Sequence, residues 1–250
     1  MCLLALFYRV VEDAPVVAGA NREEYYQRGG EPPRLLDDSS VRAVAGVDPV
    51  AGGTWFGIND KSVFVAVTNR RKSEPPAQPR SRGLLARELL ACTSAKAVVD
   101  HAIRALEHDL YAGCNFLCAD ASQAVVIQAG DWLRVRPLPP GLHVLTNRDV
   151  NDASDHRLSY ALDWLSRHRY PAAEQCVQAL QQLCAQHEPD NPPMCFRDKD
   201  RGTVSSSIVA LRGTLEDSTY LHAQGPPDRT PYVAYSHLLH DLANDHNGGS

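Results

Sequence analysis

Cys2 has the greatest chemical potential of any residue in this sequence, because it directly follows Met1. Methionine is trimmed when the next residue is small, and cysteine qualifies. Trimming would leave an α-amine of ordinary pKa ~7.7–8.0 on the same residue as a thiol of ~8.5. One residue would then hold both a nucleophile and a general base, the base near its best operating value. Position alone leaves a second reading of equal weight, a cysteine fallen by chance in a buried strand.

Other candidate groups carry less. Cys114 and Cys118 are four apart, but GCNFLCAD reads as a strand that points both thiols to one face. Buried apolar cysteine fits better there than zinc, and no histidine pair sits nearby at ligand spacing. His237 and His240 resemble a ligand pair but read as a solvated helix face. Gly52-Gly53 lacks the spacing and the lysine of a phosphate loop, and Ser205-Ser206-Ser207 lacks the glycines of a nucleophile elbow. No metal site is expected.

Composition sets the frame for this chemistry. The chain has 250 residues, 44% hydrophobic and 22% charged, which fits one globular domain over residues 1–250 and excludes wholesale disorder. A net charge of −5 argues against a general nucleic-acid binder, which needs a basic face. Seven cysteines, an odd number, read as reduced thiols of a cytoplasmic protein. The apolar run over residues 2–8 has no basic segment before it and no small-residue cleavage site after it, so it reads as a strand rather than an export signal. No run approaches the ~20 apolar residues of a membrane span.

The elements that must position Cys2 follow from pattern. Strands are expected over residues 3–11 and 16–20, joined as a hairpin, then over 41–47, 55–58 and 62–68. Residues 27–38 and 70–82, rich in Gly, Pro or charge, read as surface loops. Helices are expected over 83–91 and 95–108, the second capped by Ser94. Strands return at 115–119, 124–129, 132–135 and 143–146, followed by helices at 157–166 and 172–186 and a Pro-rich loop at 188–193. Strands at 204–211 and 219–222, a short helix at 235–242 and a frayed tail at 244–250 complete the chain. There is no βαβ alternation, which argues against a doubly wound parallel fold. The order fits an α+β fold, a four-layer αββα sandwich of two mostly antiparallel sheets.

A set of short segments adds a resemblance. Asn21-Arg22-Glu23-Glu24-Tyr25 follows a strand some twenty residues after Cys2. Then come Gly52-Gly53-Thr54-Trp55-Phe56-Gly57-Ile58, Ala66-Val67-Thr68-Asn69, Ser81-Arg82-Gly83, Asn115-Phe116-Leu117-Cys118-Ala119-Asp120 and Leu145-Thr146-Asn147. In this order they resemble the NRDE family, the transport and Golgi organisation protein 2 family, which is similar in turn to N-terminal-nucleophile hydrolases of the choloylglycine hydrolase and penicillin acylase kind. The resemblance implies the same αββα sandwich. It implies amide hydrolysis of a small acylated substrate, with Cys2 as nucleophile, Glu23 orienting the α-amine, and Asn69 and Asn147 donating to the oxyanion. It places Asn21, Arg22, Trp55 and Asn115 in support or binding roles and requires no cofactor. Members of the family are implicated in haem handling and in lipid or acyl-CoA metabolism, so the alternative is a non-catalytic protein binding haem or an acyl chain. Haem would then have Cys2 or a histidine as axial ligand, held non-covalently because no Cys-x-x-Cys-His occurs. Two positions depart from the pattern. Glu23 stands where Asp is usual, and a displacement of about 1 Å in a positioned site is worth ~10²-fold. Val204 stands where the related hydrolases carry an arginine, and Arg201 nearby is expected on the other face.

Overall fold

The computed structural model describes residues 2–37, 41–108 and 110–244. The chain runs β1 (Leu3–Tyr8), β2 (Val16–Tyr25), β3 (Glu31–Leu36), β4 (Ala43–Val47), β5 (Phe56–Asn59), β6 (Phe64–Asn69), α1 (Arg82–Leu90), α2 (Ala95–Leu106), β7 (Cys114–Ala119), β8 (Ala124–Ala129) and β9 (Leu133–Leu138). It continues through β10 (Gly141–Leu145), α3 (His156–Ser166), α4 (Ala173–Ala185), β11 (Arg201–Leu211), β12 (Thr219–Ala223), β13 (Val233–Ala234) and α5 (Ser236–Asn244). Of the expected tail, Asn244 ends α5 and residues 245–250 lie outside the described residues.

Two antiparallel sheets form, one in the order β10-β1-β2-β11-β12-β13 and the other β3-β4-β5-β6-β7-β8-β9. The alternation along β1 shows how they stack. Leu4, Leu6 and Tyr8 pack into the core between the sheets, whereas Leu3, Ala5 and Phe7 pack against the α3 and α4 residues Leu158, Ala161, Leu180 and Leu183. With both faces covered, the strand reads as an unbroken apolar run. β7 does the same in the other sheet. Leu117 and Ala119 face the inter-sheet core, and Cys114, Phe116 and Cys118 face Leu85 and Leu89 of α1 and Val98 and Ala102 of α2. The layers are therefore α1/α2, sheet, sheet, α3/α4, the expected αββα sandwich. Cys114 and Cys118 lie on one face, buried among apolar side chains.

Helix starts follow their caps. Ser94 Oγ accepts from Ala97 N at 3.1 Å, as expected, and Ser81 caps α1 in the same way. Asp155 caps α3 through Arg157 N and Leu158 N.

Two expectations are corrected. The strand expected over 16–20 runs on as β2 to Tyr25, so the Asn21–Tyr25 segment is part of it. Residues 31–36 of the predicted loop form β3 despite Pro32 and Pro33. β3 is the outer strand of its sheet, where a proline's missing N–H costs no ladder bond, and its register with β4 shifts between Glu31 and Arg34, across the prolines. Asp38, the end of that predicted loop, lies outside the described residues. β13, only two residues long, had no strand pattern to announce it.

Candidate active site

A cavity of about 270 Å³ opens between the sheets where β1 begins and β2 and β6 end, lined among others by Cys2, Arg22, Glu23, Asp48, Trp55, Asn69 and Arg82. Strand parity selects these residues. Cys2 shares the phase of Leu4 and Leu6, so it continues the inter-sheet face of β1. On β2, Ala18 packs in the inter-sheet core and Ala20 against it, which puts Arg22 on that face too. Asn21 and Glu23 fall on the opposite phase, toward α3 and α4.

Arg22 is held by two contacts. Its guanidinium lies 4.1 Å from the centroid of Trp55, one guanidinium nitrogen donates to Gly29 O, and the residue is only 6% exposed. Trp55 can lie there because Gly46 has no side chain: a Cβ on Gly46 would stand 2.7 Å from the Trp55 ring. Burial lowers the Arg22 pKa, with Glu24, Asp48 and Cys2 acting in the other direction. Asp48 caps its own loop by accepting from Val50 N at 3.2 Å and pairs with Arg28 at 2.6 Å. Burial would raise its pKa, but the Arg28 and Val50 hydrogen bonds prevail and leave it below the ordinary value.

Glu23 forms a buried ion pair with Arg157 of α3, whose Nη2 also donates to Met194 O at 2.8 Å. The Cys2 thiol is half-buried and its pKa is raised, first by burial and then by the Glu23 carboxylate. The Glu23 backbone N–H and Arg22 act to lower it.

The structure thus brings Cys2, Arg22, Glu23, Trp55 and Asn69 to one cavity. Asn147 is not among its lining residues. It borders a neighbouring cavity with Arg70, Arg71, Arg148, Asp149 and Asp152, and its Oδ1 is buried without a hydrogen-bond partner. Asn21 and Asn115 act as ties. Asn21 Nδ2 donates to Cys184 O and Met194 O, both at 2.9 Å, fastening β2 to the end of α4. Asn115 Nδ2 donates to Thr68 Oγ1, Thr146 O and Arg148 O, and Thr68 Oγ1 donates to Thr146 O at 2.8 Å, so together they join the two sheets beside the site. Val204 is the extra residue of a bulge: Thr203 pairs with Glu23 and Ser205 with Arg22. Arg201 does not line the Cys2 cavity; its guanidinium lies over Phe196, 5.8 Å from the ring centroid.

Sequence reasoning passed over Arg157, Asp48 and Arg82 as site residues. Arg82 lay within a quoted segment, whereas nothing local to Arg157 marks a partner on β2. Among the described residues no group of three or more His, Cys, Asp or Glu side chains could hold a metal ion. His237 and His240 are exposed on α5.

Comparison with known proteins adds the lineage. Residues 1–224 match the family "Transport and Golgi organisation 2". The chain belongs to this family. A human relative, transport and Golgi organization protein 2 homolog, is 31% identical over 142 residues, covering 53% of this chain and 50% of that one. The chain thus matches about half the length of the curated transport and Golgi organisation 2 relatives. Two solved structures share the fold at low identity. A Caenorhabditis elegans N-acylethanolamine-hydrolyzing acid amidase ortholog has a TM-score of 0.59 and 16% identity, with 83% of this chain and 92% of that one covered. Penicillin V acylase from Agrobacterium tumefaciens has a TM-score of 0.58 and 13% identity, with 98% and 89% covered. This transport and Golgi organisation 2 chain therefore has the fold of N-terminal-nucleophile hydrolases.

Proposed function

We propose that this chain is a cysteine hydrolase of the N-terminal-nucleophile type, cleaving the amide bond of a small acylated molecule after Met1 is removed. The observation that carries the reading is the convergence of Cys2, Arg22, Glu23 and Asn69 on one cavity at the open end of the two sheets.

In the proposed reaction the α-amine of Cys2 takes the thiol proton as sulfur attacks the amide carbonyl carbon. Asn69 donates to the oxygen as it becomes negative, and the collapse of that intermediate passes the proton to the departing nitrogen. The thioester left on Cys2 is hydrolysed by water, with the same amine as base, releasing the acid. Arg22 beside the sulfur favours its thiolate, and Glu23, fixed by Arg157, orients the amine. The Cys2 thiol is otherwise held up by burial, so proton transfer to the amine is part of the attack rather than complete before it. Asn147, which borders the adjoining cavity, would donate to the oxyanion only if that wall closed toward Cys2.

Non-covalent binding of haem or an acyl chain is the alternative. It has less support, because among the described residues no histidine lines the cavity, leaving Cys2 as the single candidate ligand there. The proposed location is the cytoplasm, whose reducing thiol pools suit seven unpaired cysteines. No helix among the described residues is long and apolar enough to cross a membrane.

The test is the intact mass of the protein followed by turnover of a panel of short acyl amides. Loss of Met1 together with hydrolysis abolished by Cys2→Ala is the expected result. Retention of Met1, or hydrolysis that survives in Cys2→Ala, removes the mechanism. A Soret band that survives desalting after haem addition, without amide turnover, would move the reading to a haem carrier.

A further inference from the structure

On that hydrolase reading, we propose that the substrate is itself an anion, a small amide carrying a carboxylate, held by Arg82 at the cavity rim with help from Arg80.

The charges lining the cavity do not balance. Three carboxylates border it, Glu23, Glu24 and Asp48, and each is already answered. Glu23 pairs with Arg157, which reaches it from outside the cavity lining. Asp48 and Glu24 share Arg28, at 2.6 Å and 3.6 Å. Of the four arginines in the lining, Arg28 therefore faces two carboxylates, and Arg22, Arg80 and Arg82 outnumber the one negative charge it leaves over. Among the described residues neither Arg22 nor Arg82 has a carboxylate within ion-pair distance; Arg22 feels Glu24 and Asp48 only from farther off. Arg80 meets a carboxylate only at 3.8 Å from Glu88, with both side chains exposed, a contact worth little.

The three arginines other than Arg28 have different neighbours. Arg22 is buried beside Cys2, so its charge is directed at the nucleophile and at the oxygen that becomes negative there. Arg82 is half-buried, with one nitrogen donating to Gly113 O at 2.9 Å, which fixes the guanidinium while leaving its other N–H groups for a ligand. Arg80 stands two residues away with its guanidinium over Tyr111, 5.5 Å from the ring centroid. No residue in the first turn of α1 is acidic, and the one carboxylate of that helix, Glu88, meets Arg80 only in the exposed contact at 3.8 Å.

A concave wall with a net charge of one sign, concentrated here at Arg80 and Arg82, attracts ligands of the opposite sign. The planar guanidinium fork of Arg82 suits a carboxylate, which it can hold through two parallel hydrogen bonds. Trp55, Val67, Pro79 and Ala112 supply apolar wall in the same cavity, and its modest volume limits the acyl chain to a short one.

The test compares N-butyrylglycine with its neutral counterpart N-butyrylglycinamide, on full-length protein whose Met1 has been removed. The expected kcat/KM is about tenfold or more higher for the acid, and that preference falls as ionic strength rises. Arg82→Gln is expected to erase most of the preference, whereas Arg104→Gln on the exposed face of α2 leaves it intact. Equal kcat/KM for the two amides, with a ratio that Arg82→Gln does not change, overturns the anion site and leaves the hydrolase reading standing. If neither amide is cleaved, the hydrolase reading fails, and calorimetric titration of both compounds into Cys2→Ala decides the anion site separately. Tighter binding of the acid that is lost in Arg82→Gln supports it; equal binding, or none, overturns it.

Discussion

Arg157 reaches from the first turn of α3 to the Glu23 carboxylate on β2, a contact between residues 134 positions apart in the chain. The two side chains are 11% and 2% exposed, so neither charge has water as a substitute partner. Removing one member of such a pair takes a close opposite charge away from the other, which stays buried. Arg157→Met is expected to lower the unfolding free energy by about 3–5 kcal/mol, measured by urea titration. The double variant Glu23→Gln/Arg157→Met should lose less than the two single losses added together, because the second change removes the charge that the first one stranded. Strict additivity would show that the pair is not coupled.

The same carboxylate acts on Cys2 and gives a prediction with a definite sign. Burial is the largest cause raising the thiol pKa above its ordinary value, and Glu23 is the second. The thiolate is the form that reacts, so alkylation of Cys2 by iodoacetamide should still be gaining rate above the pH at which a free thiol levels off. Glu23→Gln removes a negative charge beside the sulfur and leaves Arg157 unanswered. Both changes favour the thiolate, so the alkylation profile should move to lower pH. Burial remains, which keeps the shift partial. Mass spectrometry of the N-terminal peptide against pH reads the profile, and a shift upward, or none, would falsify the placement of Glu23 next to the thiol.

The layers were legible in the sequence because each rests on a local pattern. The unbroken apolar run of β1 follows from burial on both faces, and the cap at Ser94 from a hydroxyl three residues before Ala97. β3 was not legible. Pro32 and Pro33 read as a loop wherever a strand has neighbours on both sides, and only its place at the sheet edge admits them. In the site, the residues quoted with the family segments include Cys2, Arg22, Glu23, Trp55 and Asn69, all of which reach one cavity. Arg157 was illegible because its partner is fixed by where α3 lies against β10 and α4, and no spacing in the sequence records that packing. Asn69 and Asn147 look alike as strand-end Thr-Asn pairs, yet they border different cavities.

Gly52 and Gly53 are adjacent and should respond differently to alanine. Gly52 has a φ of +69°, with nothing within 4 Å of an added Cβ, so Gly52→Ala carries only the left-handed backbone penalty of about 1–2 kcal/mol. At Gly53 an added Cβ would meet the backbone of the α1 start, 2.6 Å from Leu84 N and closer still to the Gly83 carbonyl carbon. That backbone is bonded to the loop through Thr54 N donating to Gly83 O at 2.9 Å, so it cannot yield without moving Arg82. Gly53→Ala should therefore be the more destabilising of the two, about 3 kcal/mol or more, and should weaken ligand binding in the cavity as well. Thermal melts of the two variants side by side decide the order, and equal losses would mean that the close approach relaxes freely.

His222 makes the fold sensitive to acid. It is 1% exposed on β12, with Nδ1 2.8 Å from Ser207 Oγ and Nε2 2.8 Å from Gln224 Oε1. These partners suit a neutral ring that accepts from Ser207 and donates to Gln224. Burial pulls its pKa below the ordinary 6.5, with the Gln224 contact acting against that. His143 is displaced in the same direction, again by burial first. As pH falls through 6.5 the unfolded chain takes up these protons before the folded one does, so stability is present above that value and is lost below it, down to the folded pKa. The urea midpoint should hold near about pH 7.5 and drop by about pH 5.5, and His222→Gln should drop by less between the same two conditions. If the variant loses as much as the parent, the acid sensitivity resides elsewhere, and the Ser207–His222–Gln224 chain contributes nothing to it.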